Sequence, residues 1–207
     1  MSLAQPDFGV LRKAQRGDER AFCIIVRAYQ VPVFNYVLRL VGDRALAEDL
    51  TQEVFLRVFQ GLPRFSERSK FTTWLFQVTK NRVLDELRAF ERRPRSFVDL
   101  DDVPALEVVD APFERIEAID AVWRAVADLN VDLKMALLLR DVVGLSYTEI
   151  SDSLEVTLAT VKWRIYKARE DVQLALAREG IHFYGGPAEV EAAAVTAAAA
   201  PVEILPV

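Results

Sequence analysis

The stretch Gly144–Glu170, GLSYTEISDSLEVTLATVKWRIYKARE, decides the fold class. Gly144 stops one helix. Ser146 followed three residues later by Glu149 is a capping box that starts the next: the serine accepts a bond from the third backbone N–H, and the glutamate reaches back to the cap. Ile150 and Leu154 then share an inner face. Glu155, Val156 and Thr157 make a three-residue turn, and a longer helix begins near Leu158. Along it Val161, Ile165, Ala168 and Val172 recur at the spacing of one buried stripe. Thr160, Lys162, Trp163, Arg164, Tyr166 and Lys167 fall on the opposite and flanking faces. Two helices joined by so short a turn, the second basic on its free side, form a unit that fits the major groove of duplex DNA. An ordinary helical hairpin with a solvated basic face is the alternative.

Outward from this unit, helical periodicity spans Glu114 to Glu179 and defines one domain, 114–179. Pro94, Pro104 and Pro112 punctuate the stretch before it, which has no helical period and is expected to be a flexible acidic linker, 96–113. Gly185-Gly186-Pro187 and an Ala/Val-rich run fill the tail, 180–207, whose low complexity predicts mobility or weak helicity. A second bundle occupies 18–95, behind an N-terminal segment, 1–17. Asp18 caps a helix through Tyr29, and Pro32 is expected to break it from a run Val33–Val41 that Gly42 ends. Asp43 opens a helix over Ala45–Gln60, which Gly61 and Pro63 stop. A polar loop, Arg64–Ser69, leads to a long helix from about Lys70 to Arg93, ended by Pro94. The expected fold is all-α, with two helical domains.

Two of these helices carry unusual second faces. On Lys70–Arg93, Phe76, Thr79, Val83, Leu87 and Phe90 make a core stripe. Phe71, Trp74, Val78, Asn81, Asp85, Arg88 and Arg92 line another side, mixing rings, an amide, a carboxylate and guanidinium groups. Such a line can stack unpaired bases, bond their edges and hold their phosphates, although Phe71 and Trp74 also suit a core. On Ala45–Gln60, Leu46, Leu50, Val54 and Val58 face inward. Asp49, Gln52, Glu53 and Leu56 group on the outside, an acidic and amide patch better suited to a protein partner than to DNA, or simply a solvated face.

The composition limits the chemistry. Of 207 residues, 52% are hydrophobic and 28% charged, as in a soluble globular protein. The one cysteine, Cys23, excludes an internal disulfide or an all-cysteine zinc site, and its apolar surroundings predict burial. With His182 the only histidine, neither a His–Cys metal site nor a Ser–His–Asp triad can be assembled. No catalytic residue, metal or cofactor is expected. No leader pattern starts at Met1 and no run reaches the ~18 apolar residues of a membrane span, so a cytoplasmic protein without membrane insertion is expected. Net charge is −5, but its distribution is uneven. Leu11–Arg95 holds 17 Lys/Arg against 10 Asp/Glu, whereas Ser96–Glu114 holds six acids and no base. A basic lobe is thus joined to an acidic strap, and local sign governs attraction to a polyanion.

Asp49-Leu50-Thr51-Gln52-Glu53-Val54-Phe55, Phe71-Thr72-Thr73-Trp74-Leu75 and Asn81-Arg82-Val83-Leu84-Asp85 together resemble region 2 of the sigma-70 family. Gly144–Glu170 resembles region 4. The order, the short linker and the lack of a middle domain are similar to the extracytoplasmic-function (group IV) sigma factors. The resemblance implies a non-enzymatic factor that binds core RNA polymerase and directs promoter-specific initiation. Asp49, Gln52, Glu53 and Leu56 would dock on the clamp helices of the polymerase's largest subunit. Phe65, Ser66 and Lys70 would belong to a loop that captures a base flipped from the minus-ten element. Phe71, Trp74, Asn81, Arg82, Asp85 and Arg88 would complete that surface. The linker would thread the active-site cleft and RNA exit path, imitating nascent RNA. Region 4 would dock on the flap of the second-largest subunit and read the minus-thirty-five element of promoter DNA with Thr160, Lys162, Trp163, Arg164, Tyr166 and Lys167. Ala159 and Trp163 depart from the family, many members having glycine and a small residue there. The tail after Gly180 has no family counterpart, and binding of an anti-sigma factor stays open. The rival reading is a ligand-sensing helix-turn-helix regulator that binds duplex DNA as a dimer.

Overall fold

The computed structural model describes residues 3–66, 68–92 and 113–181. Of the linker expected at 96–113 all but residue 113, and of the tail expected at 180–207 all beyond 181, lie outside them. Among the described residues every regular element is helical: α1 (Phe8–Gln15), α2 (Glu19–Val41), α3 (Arg44–Gly61), a 3-10 turn (Leu62–Arg64), α4 (Phe71–Arg92), α5 (Phe113–Ala127), α6 (Val131–Asp141), α7 (Tyr147–Leu154) and α8 (Leu158–Arg178). They form two compact units, the first built on α1 to α4 and grouped with Asp152–Glu155, the second built on α5, α6, α8 and the start of α7.

Local chemistry starts these helices. The side chains of Asp7, Asp18 and Asp43 accept the backbone N–H groups of Val10, Ala21 and Leu46, each three residues on. Gly42 closes α2 at φ 74°, a left-handed conformation that costs a residue with a Cβ roughly 1–2 kcal/mol. In the first unit α2 packs on α1, α3 and α4, and α3 on α4. The core joins Val33, Tyr36 and Val37 of α2, Leu50, Val54 and Val58 of α3, and Leu75, Phe76 and Val83 of α4. Tyr36 meets Phe76 edge to face, ring centroids 5.5 Å apart.

Several expectations need correction. Pro32 does not break the chain, because α2 runs through it. A mid-helix proline costs ~3 kcal/mol, but Val33, Phe34, Tyr36 and Val37 just beyond it are all buried. At about 1.5–3 kcal/mol for each large side chain, their burial outweighs the lost bond. The uninterrupted α2 is also long and apolar enough, by length and composition, to cross a bilayer, although Arg20, Arg27 and Arg39 keep any unbroken apolar run in it below 18 residues. Its apolar face is taken up by α1, α3 and α4. Cys23 is exposed rather than buried. Ala21, Ile25 and Tyr29 define the inward side of α2, and Cys23 falls opposite them, beside exposed Ile24. Phe90, expected in the core, is exposed, because burial along α4 fades after Val83. The N-terminal segment also holds a helix, α1, with Leu11 and Ala14 buried.

In the second unit α8 packs on α6 and α5. The expected stripe of α8 is realised: Val161, Ile165, Ala168 and Val172 are buried, and Leu176 extends it. They meet Met135, Leu138 and Leu139 of α6 and Val122 and Val126 of α5 in one core. A buried ion pair reinforces it, Arg169 of α8 on Asp141 of α6 at 2.6 Å. The capping box forms as read: the Ser146 N–H donates to Glu149 Oε2 at 2.8 Å, and the Glu149 N–H donates to Ser146 Oγ at 3.3 Å. In the turn Glu155 adopts φ 59°, and Thr157 caps α8.

Candidate nucleic-acid interface

α4 presents Asn81, Asp85, Arg88 and Arg92 to solvent, with Trp74 and Val78 half-buried on the same side. The register follows from Phe76, Thr79 and Val83, which turn inward and fix the opposite face outward. Phe71, assigned by spacing to the outer line, lies in the core instead. It packs on Tyr29, Phe65 and Trp74, with centroids at 5.4, 6.0 and 5.8 Å. Phe65 is buried as well and stacks on Trp74 at 4.9 Å. The rings of Phe65 and Phe71 therefore form a floor under the Trp74 indole rather than a free stacking surface. A close approach of α3 completes the floor: a Cβ on Gly61 would lie 3.0 Å from the Trp74 ring.

The loop before α4 is held at both ends by the N-terminal segment. Gln15 donates its side-chain amide to the Phe65 carbonyl at 3.0 Å. Gln5 donates to Thr72 Oγ1 at 2.6 Å and accepts the Thr72 N–H at 3.4 Å, satisfying one of the unpaired donors of the first turn of α4. The Tyr29 hydroxyl donates to the Ala4 carbonyl at 2.6 Å and fixes the same segment on α2. Ser66, Arg68, Ser69 and Lys70 stay exposed along the loop. Gln5 and Gln15 are positioning residues that sequence reading missed. The Asp7 cap and the apolar pair Leu11 and Ala14 were the local signals that a helix stood there.

Arg82, placed by the family resemblance among the base-reading residues, is buried. Its guanidinium donates to Glu53 of α3 and, at 2.8 Å, to Glu86 one turn along α4. Arg57 of α3 lies 3.6 Å from Asp85. Two ion pairs thus strap α3 to α4. The bond from Arg82 pulls the Glu53 carboxyl below the usual glutamate range, and the same bond raises the arginine. On the outer side of α3 Asp49, Gln52 and Leu56 are exposed, Leu56 by 61%, and Glu53 is half-exposed. The acidic-amide patch exists as read, but Glu53 serves it and the α3–α4 strap together.

On α8, Lys162, Trp163 and Tyr166 project into solvent. Thr160 lies within the cap, its N–H donating to Thr157 Oγ1 at 3.2 Å. Arg164 is drawn back to Asp132 at 2.8 Å, and Lys167 pairs with Glu170 and Asp171 at 2.8 and 2.9 Å. Spacing put these six residues on the opposite and flanking faces of the helix, but only Lys162, Trp163 and Tyr166 stand clear of it.

Comparison with known proteins finds a family match in each of the two units. Residues 25–93 match Sigma-70 region 2, and residues 119–172 match Sigma-70, region 4. The chain is 34% identical to the RNA polymerase sigma-H factor of Pseudomonas aeruginosa over 186 residues, 85% of this chain and 96% of that one. It is equally identical to the ECF RNA polymerase sigma-E factor of Escherichia coli K12 over 185 residues, 83% and 95% of the two chains. In fold it resembles the sigma factor RpoE solved with the anti-sigma factor NepR from Bartonella quintana, with a TM-score of 0.64 at 19% identity over 75% of this chain and 96% of that one. CnrH, solved with the cytosolic domain of CnrY, gives 0.62 at 20% identity over 82% and 96%. With a region 2 bundle followed by a region 4 helix-turn-helix, and full-length relatives of the same kind, the chain belongs to the sigma-70 family, in its extracytoplasmic-function branch.

Proposed function

We propose that this sigma factor directs core RNA polymerase to promoters through three surfaces of its own and contributes no bond chemistry. The outer side of α3, with Asp49, Gln52, Glu53 and Leu56, docks on the clamp helices of the polymerase's largest subunit. The loop from Phe65 to Lys70, with Trp74, Asn81, Asp85 and Arg88 of α4, captures unpaired bases of the minus-ten element. Phe71 and Arg82 serve that surface from beneath, the first as part of its aromatic floor and the second as the strap to α3. The helix-turn-helix of α7 and α8 docks on the flap of the second-largest subunit and reads the minus-thirty-five duplex. The acidic stretch 96–113 runs through the polymerase cleft, where its charge suits a path built for RNA. The factor works in the cytoplasm, beside polymerase and DNA, and an anti-sigma protein, the kind of partner the Bartonella factor binds, is proposed for it too.

The observation that carries this reading is one α4 face on which a half-buried indole over an aromatic floor is followed by exposed Asn81, Asp85 and Arg88. A base stacked on such a ring gains about 1–3 kcal/mol, and an exposed amide can bond its edge. A dimeric duplex-binding regulator would leave the region 2 match without a task. Asn81→Ala is expected to reduce run-off transcription about tenfold on cognate promoters and to flatten preference across a panel of minus-ten variants, with polymerase binding retained. Unchanged selectivity would remove the role.

A further inference from the structure

The outward face of α8 has an unusual composition for a helix that enters a DNA groove. From Leu158 to Arg169 it carries four basic residues, no acid, and neither asparagine nor glutamine. Three of the four cations are engaged within the chain: Arg164 with Asp132, Lys167 with Glu170 and Asp171, and Arg169 with Asp141. The side chains of Arg164 and Arg169 are only 16% and 14% exposed, so neither guanidinium reaches away from the helix. What projects is Lys162 and two rings, Trp163 at 60% exposure and Tyr166 at 69%, three residues apart and so adjacent on the surface.

The major groove sorts bases by the groups on their edges. Guanine asks for arginine or lysine donors, adenine for a side-chain amide, and thymine alone offers an apolar group, its C5-methyl. A face with few free donors and two aromatic rings is matched to the third. We infer that Trp163, with Tyr166 beside it, determines specificity for thymine in the upstream duplex by packing against thymine methyl groups, while Lys162 holds a neighbouring phosphate. The inference rests on the proposed role of α8 as the duplex-reading helix. It goes further by naming the base and the group on it that is recognised.

The test uses holoenzyme reconstituted from core polymerase and the full chain. Promoters are first selected from a duplex pool randomised over the upstream and minus-ten elements. They are then resynthesised with deoxyuridine replacing thymidine at one upstream position at a time. The exchange removes a methyl and leaves every hydrogen-bonding group in place. At one or two positions the wild-type holoenzyme is expected to lose about fourfold in affinity per methyl, the factor for withdrawing one buried methylene-sized group. Trp163→Ser is expected to bind the thymidine and deoxyuridine duplexes equally, and Tyr166→Ser to reduce the difference. Both positions are solvent-exposed, and circular dichroism checks that the fold is kept. Equal binding of both duplexes by the wild type at every upstream position would overturn the inference, as would a methyl effect undiminished in Trp163→Ser. Loss of polymerase binding in Trp163→Ser, with no methyl effect in the wild type, would assign the rings to a protein partner and overturn it too. In those three cases initiation from selected promoters leaves the sigma-factor reading standing. No initiation from any selected DNA would defeat that reading and this inference together.

Discussion

Asp141→Ala is expected to lower the stability of the second helical unit by about 3–5 kcal/mol, the cost of breaking a buried ion pair from one side. The Asp141 side chain is 2% exposed and that of Arg169 14%, with 2.6 Å between nitrogen and oxygen. Removing the carboxylate takes a short charged partner from a guanidinium in the α6–α8 contact, where little water reaches it. Domains of this size are stable by roughly 5–15 kcal/mol, so the loss is a large share of the total. Replacing both partners, Asp141→Leu with Arg169→Met, is expected to recover most of it, since well-packed apolar side chains can substitute for a buried pair. Urea unfolding followed by circular dichroism, on the single and double variants, gives the comparison. A single variant within 1 kcal/mol of the wild type would show the pair to be incidental.

Glu53→Lys is expected to reduce affinity for core polymerase by tenfold or more, and also to weaken the fold. The substitution places an ammonium against Arg82, whose guanidinium is buried and donates to Glu53 and Glu86. Glu53 is about half exposed, so solvent screening limits the folding penalty to on the order of 1 kcal/mol. Gln52→Lys separates the two effects. Gln52 is exposed on the same outer face, and the positive charge that lysine adds beside Asp49 and Glu53 should impair polymerase capture while the unfolding midpoint stays put. Competition binding to core polymerase and parallel urea titrations distinguish docking from folding. Normal capture by both variants would remove the α3 patch from the interface. Protonation acts in the same direction as the Glu53 substitution. The Glu53 carboxyl is held below its ordinary range by the bond from Arg82, so its contribution to folding is complete above the unfolded pKa of about 4.3. It is lost as pH falls through the depressed folded value.

Features whose cause lies within one helical turn were legible in the sequence. Asp18, Asp43 and the Ser146–Glu149 box cap helices by bonding N–H groups three residues away, and each stands where it was read. The stripe of α8 was legible for the same reason, since it repeats along a single helix. What escaped was set by distant residues. Pro32 continues α2 because a neighbouring core buries the turn beyond it. Gln5 and Gln15 bond residues 67 and 50 positions away, which no local pattern announces. Helical spacing put Phe71 and Trp74 on one line, but could not tell which ring the bundle would enclose. The tie of Arg82 to Glu53 was hidden because that partner lies 29 residues earlier, on another helix. In both cases a type of residue was read correctly and its surroundings were not.

The ion pairs that α8 makes within the chain also bear on how its proposed grip on duplex DNA responds to ionic strength. A cation that meets a DNA phosphate from water frees about 0.9 condensed counterion, and affinity then falls steeply with added salt. Arg164, Lys167 and Arg169 already hold carboxylates of their own chain. A phosphate that captured one of them would strand that carboxylate, which would recruit a cation and cancel most of the release. The upstream contact is therefore expected to add a log–log salt slope near that of one phosphate, supplied by Lys162, rather than of four. Holoenzyme titrations with and without the upstream element, repeated across ionic strengths, measure that increment. A contact of this kind keeps its preference among sequences when the salt around it rises.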